Sequence, residues 1–370
     1  MILILTQCFP SRLGGVESLV SNLALSLSET EKVIVFADHH HVLNDAIYDN
    51  HHKDKISIRR TGGIKFFRRR KKIKEVKLLI ETRQVKLIIG DSWKSLELGI
   101  EYLNLKKIPV ICLAHGNELL STSLSKKKRI SKTISKVSLV VANSLFTQKL
   151  VGNLSIKNAE VKCVYPGAVD FRNYNSLEAL SITGSPVLLT LSRLEKRKGH
   201  IFVLQSIKKL KIQYPNIQYI IAGSGSEKKI LQKFVLSNGL SQNVYFVGNV
   251  NDQQKKFLFE KTDLMVMPTL DESDNNSIEG FGIVYLEAAF FRIPSIASNI
   301  GGTSEAVLHN STGIIINYIE DLHGAILDLL INKEKKFKLG LEAQNRVIKH
   351  FRWETIVKNH LSVYKNFFIS

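Results

Sequence analysis

The sequence predicts an α/β protein of two Rossmann-like, doubly wound parallel-sheet domains, and three observations predict it. At 370 residues the chain is too long for one small core and suits two domains of similar size. Short β-branched apolar runs alternate with helix-period segments along most of its length, the pattern of open parallel sheets covered by helices on both faces. Glycine turns then recur where apolar runs end, in both halves of the chain.

Taken in order, residues 2–6, 32–37, 56–60, 85–91, 109–114, 138–142 and 161–165 read as strands, with helical segments at 16–27, 65–81 and 145–151 among them. These make a first domain of residues 1–170. The polar stretch 171–184 has little periodicity and reads as a linker. Alternation restarts in a second domain, 185–350. Its strands are expected at 187–192, 217–222 and 244–247, and its helices at 200–214, 227–237 and 252–261. Residues 262–268 read as a buried strand stopped by Pro268, and 292–302 as the next strand, ending in Gly301 and Gly302. After residues 313–317 the chain is mostly helical.

Composition is that of an ordinary globular protein, 44% apolar and 23% charged. No apolar run approaches the roughly 20 residues of a membrane span, and residues 1–7 read as a buried strand, not a signal peptide. Cys8, Cys112 and Cys163 are too few and scattered for a disulfide framework or metal site, and they fit the reducing cytoplasm. The formal net charge of +19 is uneven: from Lys53 to Lys86 fourteen cationic residues face three acids, and a second basic run spans Lys126 to Lys136. Such patches attract nucleic acid, anionic membranes or acidic substrates, and charge alone does not choose among them. Within 65–80, Phe66, Ile73, Val76 and Ile80 share one helical face and are expected to dock on the sheet. Phe67 and Leu78 project elsewhere, among Arg70, Lys71 and Lys74. That arrangement suits an anionic bilayer surface, the plainer alternative being a solvated helix.

The most informative stretch is 279–288, where Glu279 and Glu287 stand eight residues apart around a Gly-Phe-Gly turn. The turn runs into an apolar helix-forming segment, which puts Glu279 just before a helix start and Glu287 about two turns inside it. Unpaired amides at a helix start cradle phosphate, and flanking carboxylates accept hydrogen bonds from sugar hydroxyls. That is a nucleotide-sugar site in outline, although two glutamates at this spacing also arise by chance. Gly14 and Gly15, Gly223 and Gly225, and Gly301 and Gly302 each follow a strand and precede a helix. One such turn is only a turn; three at equivalent positions favour ligand crevices facing each other across a cleft. Arg193 and Lys198 lie just past a strand in a polar turn closed by Gly199, where a guanidinium and an ammonium would neutralise a diphosphate.

Together these segments resemble the retaining GT-B enzymes of glycosyltransferase family 4. The resemblance runs through residues 14–17, 114–116, 142–144, 164–170, 192–199, 222–225, 279–287 and 301–305. The tail, 351–370, is similar to the closing helix that returns to the N-terminal domain in that family. The resemblance implies that Arg193 and Lys198 bind the donor diphosphate, Glu287 the ribose hydroxyls and Glu279 the transferred sugar. It implies sugar or phosphate contacts for the amides of Phe281, Gly282, Ile283 and Val284, a phosphate contact for the Gly15 amide, and substrate binding by the Gly223–Gly225 turn. His115 would stand near the reacting sugar, the alternative being a strand-end histidine bonded to main chain. Glu305 has the weakest case, since it could simply complement a helix dipole.

The implied reaction retains anomeric configuration: the acceptor attacks the face the diphosphate leaves, and a departing phosphate oxygen takes the acceptor proton. No Asp-x-Asp motif is present, so no cofactor is expected and a divalent metal is not implied; the acidic run 271–274 reads as a mobile loop. The expected partners are a UDP- or GDP-sugar donor and a glycan or lipid-linked acceptor in O-antigen, lipopolysaccharide or capsule synthesis. The expected location is the cytoplasm, peripheral to the inner face of the membrane. Two rival readings are another nucleotide-sugar enzyme on this fold, an epimerase or sugar-phosphate synthase, and a nucleic-acid-binding protein. The latter lacks stacking aromatics and leaves Arg193, Lys198, Glu279 and Glu287 unexplained, so no nucleic-acid partner is expected.

Overall fold

The computed structural model describes residues 1–12, 14–154, 156, 159–179 and 181–367; the end of the expected closing helix, 368–370, lies outside them. The chain divides into two compact units. One comprises Met1–Gly167 together with the segment from Trp353 onward, and the other Ala168–Arg352. The stretch read as a linker clusters with the second unit. There Lys256 Nζ donates to the carbonyls of Arg172 (3.0 Å) and Tyr174 (2.7 Å), and the Phe171 ring stacks on Phe259.

The first unit holds a seven-stranded sheet of β1 (Ile2–Leu5), β2 (Val33–Asp38), β3 (Ser57–Thr61), β4 (Leu87–Gly90), β5 (Val110–Ala114), β6 (Leu139–Ala142) and β7 (Glu160–Cys163). The second holds six strands: β8 (Val187–Leu191), β9 (Gln218–Ala222), β10 (Val244–Gly248), β11 (Leu264–Met267), β12 (Ser295–Ser298) and β13 (Gly313–Ile316). Their orders are β3-β2-β1-β4-β5-β6-β7 and β10-β9-β8-β11-β12-β13, with every neighbouring pair parallel. Strands β1, β2, β4, β5 and β6 are buried at every residue, while the edge strands β3 and β7 alternate exposed and covered positions. A sheet covered on both faces requires continuous apolar runs in its central strands, and that is what the sequence carries.

In the first unit one face packs the helices Gly15–Leu27 and Trp353–Tyr364, with Leu19, Val20 and Leu23 sharing a core with Ile356, Val357 and Tyr364. The opposite face is covered by Ile73, Val76, Trp93, Leu96, Ile130 and Ile134. In the second unit Val203, Leu204, Ile207, Leu231, Ile326 and Leu329 form a single core with the sheet. Strand order reverses between β1 and β4, and again between β8 and β11. At such switch points the loops leaving adjacent strands diverge and open a crevice at the carboxyl edge.

Helices are expected between most strands of the first domain, and Val42–His52, Ile100–Leu105 and Leu124–Ile134 fill three more of those connections. The expected docked face of residues 65–80 needs correction. Ile73 and Val76 are buried, but Phe66 is 55% exposed. Lys72 takes a place on the docked side instead, donating from Nζ to the Thr6 carbonyl (2.7 Å) and pairing with Asp38 (2.5 Å). Phe66 lies under the Arg70 guanidinium, 4.0 Å from its ring centre. Phe67 and Leu78 are exposed, as their positions on the wheel predict. Among the described residues no helix is long and apolar enough to cross a membrane.

Candidate active site

Two loops flank the switch point of the second sheet, one leaving β8 and the other leaving β11. The first carries Arg193 and Lys198. The second carries Glu279 and leads into the helix Ile283–Ala289. Gly282 is the N-cap of that helix at φ 95°, a left-handed conformation that favours glycine. Because the cap falls at 282, Glu287 is the fifth residue of a short helix, just over one turn inside it and not about two. No side chain caps this helix, so its first amides, near Ile283 and Val284, are left to solvent or ligand. Tyr285 fixes the helix to the sheet, its hydroxyl donating to the Met267 carbonyl (2.7 Å). Phe281 is buried and packs against Phe351.

Glu279 is held from two directions. Its carbonyl accepts from the Gly302 amide (2.9 Å), and its Oε2 accepts from Arg197 Nη1 (2.7 Å) and pairs with Lys198 Nζ. Burial alone would raise its carboxyl, but Lys198 and Arg197 outweigh that and hold it at about 2. Burial pulls the Lys198 ammonium down from its ordinary value while Glu279 pushes it back up. Arg193 differs from Lys198: its side chain is 66% exposed and bonds Glu195 (2.6 Å). Glu287 stands opposite in character. It is half-buried and makes no hydrogen bond or ion pair with any described residue. Burial raises its carboxyl, Lys255 draws it down and Asp252 adds to the rise.

Arg197 was absent from the expected set although it is as buried as Lys198 and binds the same oxygen of Glu279. Gly199 closes a one-turn helix over 196–198 that buries Arg197 and Lys198 and leaves Lys196 exposed, a sorting that the run of three cations does not reveal. Gly223 and Gly225 have a packing role here: a Cβ would lie 1.9 Å from the Ser192 carbonyl oxygen in the first case and 2.3 Å from that of Leu194 in the second. They allow the turn after β9 to abut the loop that carries Arg193. The acidic run 271–274 includes a short turn of helix and is tied at Glu272, which pairs with Lys196 (2.9 Å). Glu305 sits in the first turn of the helix Thr303–Ala306, where a dipole-complementing acid belongs. Among the described residues no cluster of three or more His, Cys, Asp or Glu is arranged to hold a metal ion.

Gly15 and His115 stand at the carboxyl edge of the first sheet. Gly15 opens the helix Gly15–Leu27, whose first turn holds the buried Glu17, paired with Arg12 (2.9 Å). His115 follows β5; its Nε2 lies 2.9 Å from the Asp91 carbonyl and, facing an acceptor, carries the proton. The main-chain bond anticipated by the plainer reading of His115 is therefore present.

Two parallel-sheet domains of this topology define a GT-B fold. Solved structures of that kind superpose on the chain from end to end. Anabaena Alr3699/HepE in complex with UDP matches with a TM-score of 0.81 at 21% identity over 99% of both chains. A family model described as Glycosyltransferase Family 4 matches residues 13–170, and one described as Glycosyl transferases group 1 matches residues 175–346. The chain belongs to this family of glycosyltransferases. Among curated relatives, a GDP-mannose-dependent alpha-(1-6)-phosphatidylinositol monomannoside mannosyltransferase of Mycobacterium tuberculosis is 29% identical over 173 residues. That match takes in 46% of this chain and 45% of the relative, so the chain spans about half the length of the curated relative it matches. An uncharacterized 41.2 kDa protein in the cps region of Klebsiella pneumoniae is 24% identical over 73% of this chain and 74% of its own length.

Proposed function

We propose that the protein is a retaining glycosyltransferase that moves a hexose-type sugar from a UDP- or GDP-sugar to a glycan or lipid-linked acceptor in bacterial surface polysaccharide synthesis. The observation that carries this reading is Glu287, a half-buried carboxylate without a side-chain partner among the described residues, just inside an uncapped helix start and close in sequence to the ion-paired Glu279. Family membership supports the reaction class. UDP in the Anabaena structure and the GDP-mannose dependence of the mycobacterial relative support a nucleotide-sugar donor. The cps-region relative supports a surface polysaccharide setting.

In this reading Glu287 accepts hydrogen bonds from the ribose hydroxyls, which supply what burial has taken from it. Glu279, ionised and therefore acceptor-only, orients hydroxyls of the transferred sugar. Lys198 and Arg193 balance the charge that grows on the diphosphate as the glycosidic bond breaks, aided by the amides of Phe281, Gly282, Ile283 and Val284. The leaving phosphate oxygen takes the acceptor proton, so no carboxylate nucleophile is needed and anomeric configuration is retained. The test is thermal shift against UDP, GDP, dTDP, CDP and ADP, with Glu287→Ala alongside. One nucleoside diphosphate should raise Tm in the wild type and not in the variant. No response to any of the five would overturn the assignment.

A lipid-linked acceptor is supported by the first unit. The helices Val42–His52 and Lys65–Thr82 leave the carboxyl ends of neighbouring strands β2 and β3 and expose Val42, Leu43, Ile47, Phe66 and Phe67. Apolar side chains among cations suit peripheral docking on the anionic inner face of a membrane. The protein should co-sediment with anionic but not zwitterionic vesicles, and Phe66→Ser with Phe67→Ser should weaken it. Equal recovery with both vesicle types at physiological salt would count against docking.

A further inference from the structure

The turn after β8 packs four cations and one acid into residues 193–199, and the structure sorts them by depth. Arg193 and Lys196 are exposed and pair with Glu195 and Glu272. Arg197 and Lys198 are buried, and both end on the same oxygen of Glu279. Arg197 is clamped at its backbone too, its carbonyl accepting from the Leu270 amide (2.7 Å) of the loop after β11. Glu195 lies between the two arginines, one oxygen 2.6 Å from Arg193 Nη1 and the other 3.3 Å from Arg197 Nε. The result is an alternating row of charges, Arg193, Glu195, Arg197, Glu279 and Lys198.

Two cations on one carboxylate exceed what neutralising it requires. If Lys198 turns toward a donor diphosphate, its hold on Glu279 weakens, and a buried carboxylate left alone takes up a proton. A protonated Glu279 would donate where it should accept. Arg197 has no second task open to it, because its guanidinium is enclosed by Glu279 and Glu195 and its side chain is only 6% exposed.

We infer that Arg197 is a positioning residue that keeps the Glu279 carboxylate charged and in place while Lys198 serves the donor, and that Glu195 sets the spacing of Arg197 and Arg193. This rests on the nucleotide-sugar reading of the site. It adds two residues, neither in contact with substrate, on which the reaction depends.

The test is the pH profile of nucleoside diphosphate release from UDP-glucose and GDP-mannose by the full chain. In Arg197→Gln the acid limb of kcat/KM should move upward by about one pH unit or more, with kcat lowered about tenfold or more. Arg197→Lys, which returns a cation to the position, should restore most of the limb. A residue that merely supports the fold would lower the amount of active protein and leave the shape of the profile alone. Should Arg197→Gln fail to fold, Arg197→Lys carries the test alone, its single-point ammonium giving a smaller shift in the same direction. An unmoved acid limb in the folded variant overturns the inference and leaves the donor assignment standing. A wild type that neither releases UDP or GDP nor is stabilised by either overturns both.

Discussion

The acids at the two sheet edges are handled differently. In the first unit Asp91 accepts from the Thr6 hydroxyl (2.8 Å), the amides of Gln7 and Cys8, and the hydroxyls of Ser92 and Ser95. Asp45, also buried, accepts from Ser11 and the His40 amide and lies 3.3 Å from Arg60; against the rise that burial alone would cause, these hold its carboxyl well below the ordinary range. Asp38 takes Arg68 and Lys72. Each of these carboxylates is provided for by its own unit. In the second unit one helix start separates two acids with opposite fortunes: Glu279 is ion-paired with two cations, and Glu287 forms no ion pair among the described residues. Satisfied acids build an edge, whereas an acid without a donor among the described residues is what the proposed donor site requires.

The sharpest way to break that contrast is Glu279→Ala. It leaves Lys198 buried without its counter-charge and Arg197 with Glu195 alone, and should cost about 3–5 kcal/mol in urea unfolding. A loss under about 1 kcal/mol would place Glu279 in the same class as Glu287 and void the distinction. Next comes pH. His200 in the second unit is held at about 4 by burial and by Lys198, and His360 in the first at about 3 by burial and by His115. Each buries one ring nitrogen without a hydrogen-bond partner. Both folded values lie below the ordinary 6.5, so the unfolded chain binds more protons in that window. Stability is therefore full above pH 6.5 and falls as pH drops toward the folded values, by about 1–2 kcal/mol per histidine on reaching about pH 5. Chemical denaturation across this range should show the slope, and replacing both histidines with Gln should flatten it; a flat wild-type curve would contradict the neutral, buried state. The smallest effect is expected from Glu287→Ala, within about 0.5 kcal/mol of wild type in the same unfolding assay. A larger loss would reveal a structural partner and remove the contrast with Glu279.

Much of the fold was legible because parallel strands covered on both faces must be apolar throughout, as at β1, β5 and β11. Helices were less so. Leu124–Ile134 buries only Ile130, Thr133 and Ile134 among its lysines, a face one turn long, and Val42–His52 turns its apolar residues outward. Phe66 was misjudged because periodicity treats a lysine as polar, whereas Lys72 is docked by a carbonyl and a carboxylate distant in sequence. At the site, Glu279, Glu287 and Lys198 could be read from spacing and chemistry. Arg197 could not be separated from its basic neighbours, since the side of the turn on which a cation falls depends on a carboxylate 82 residues away.

The return of the helix Trp353–Tyr364 to the first unit has a consequence for synthesis on the ribosome. The second unit is one unbroken stretch, Ala168–Arg352, and can close its core as soon as that stretch has emerged. The first unit, begun earlier, lacks until then Ile356, Val357 and Tyr364, which share a core with Leu19, Val20 and Leu23. The half of the molecule begun first is thus completed last, and one of its two cores waits on translation of the other half.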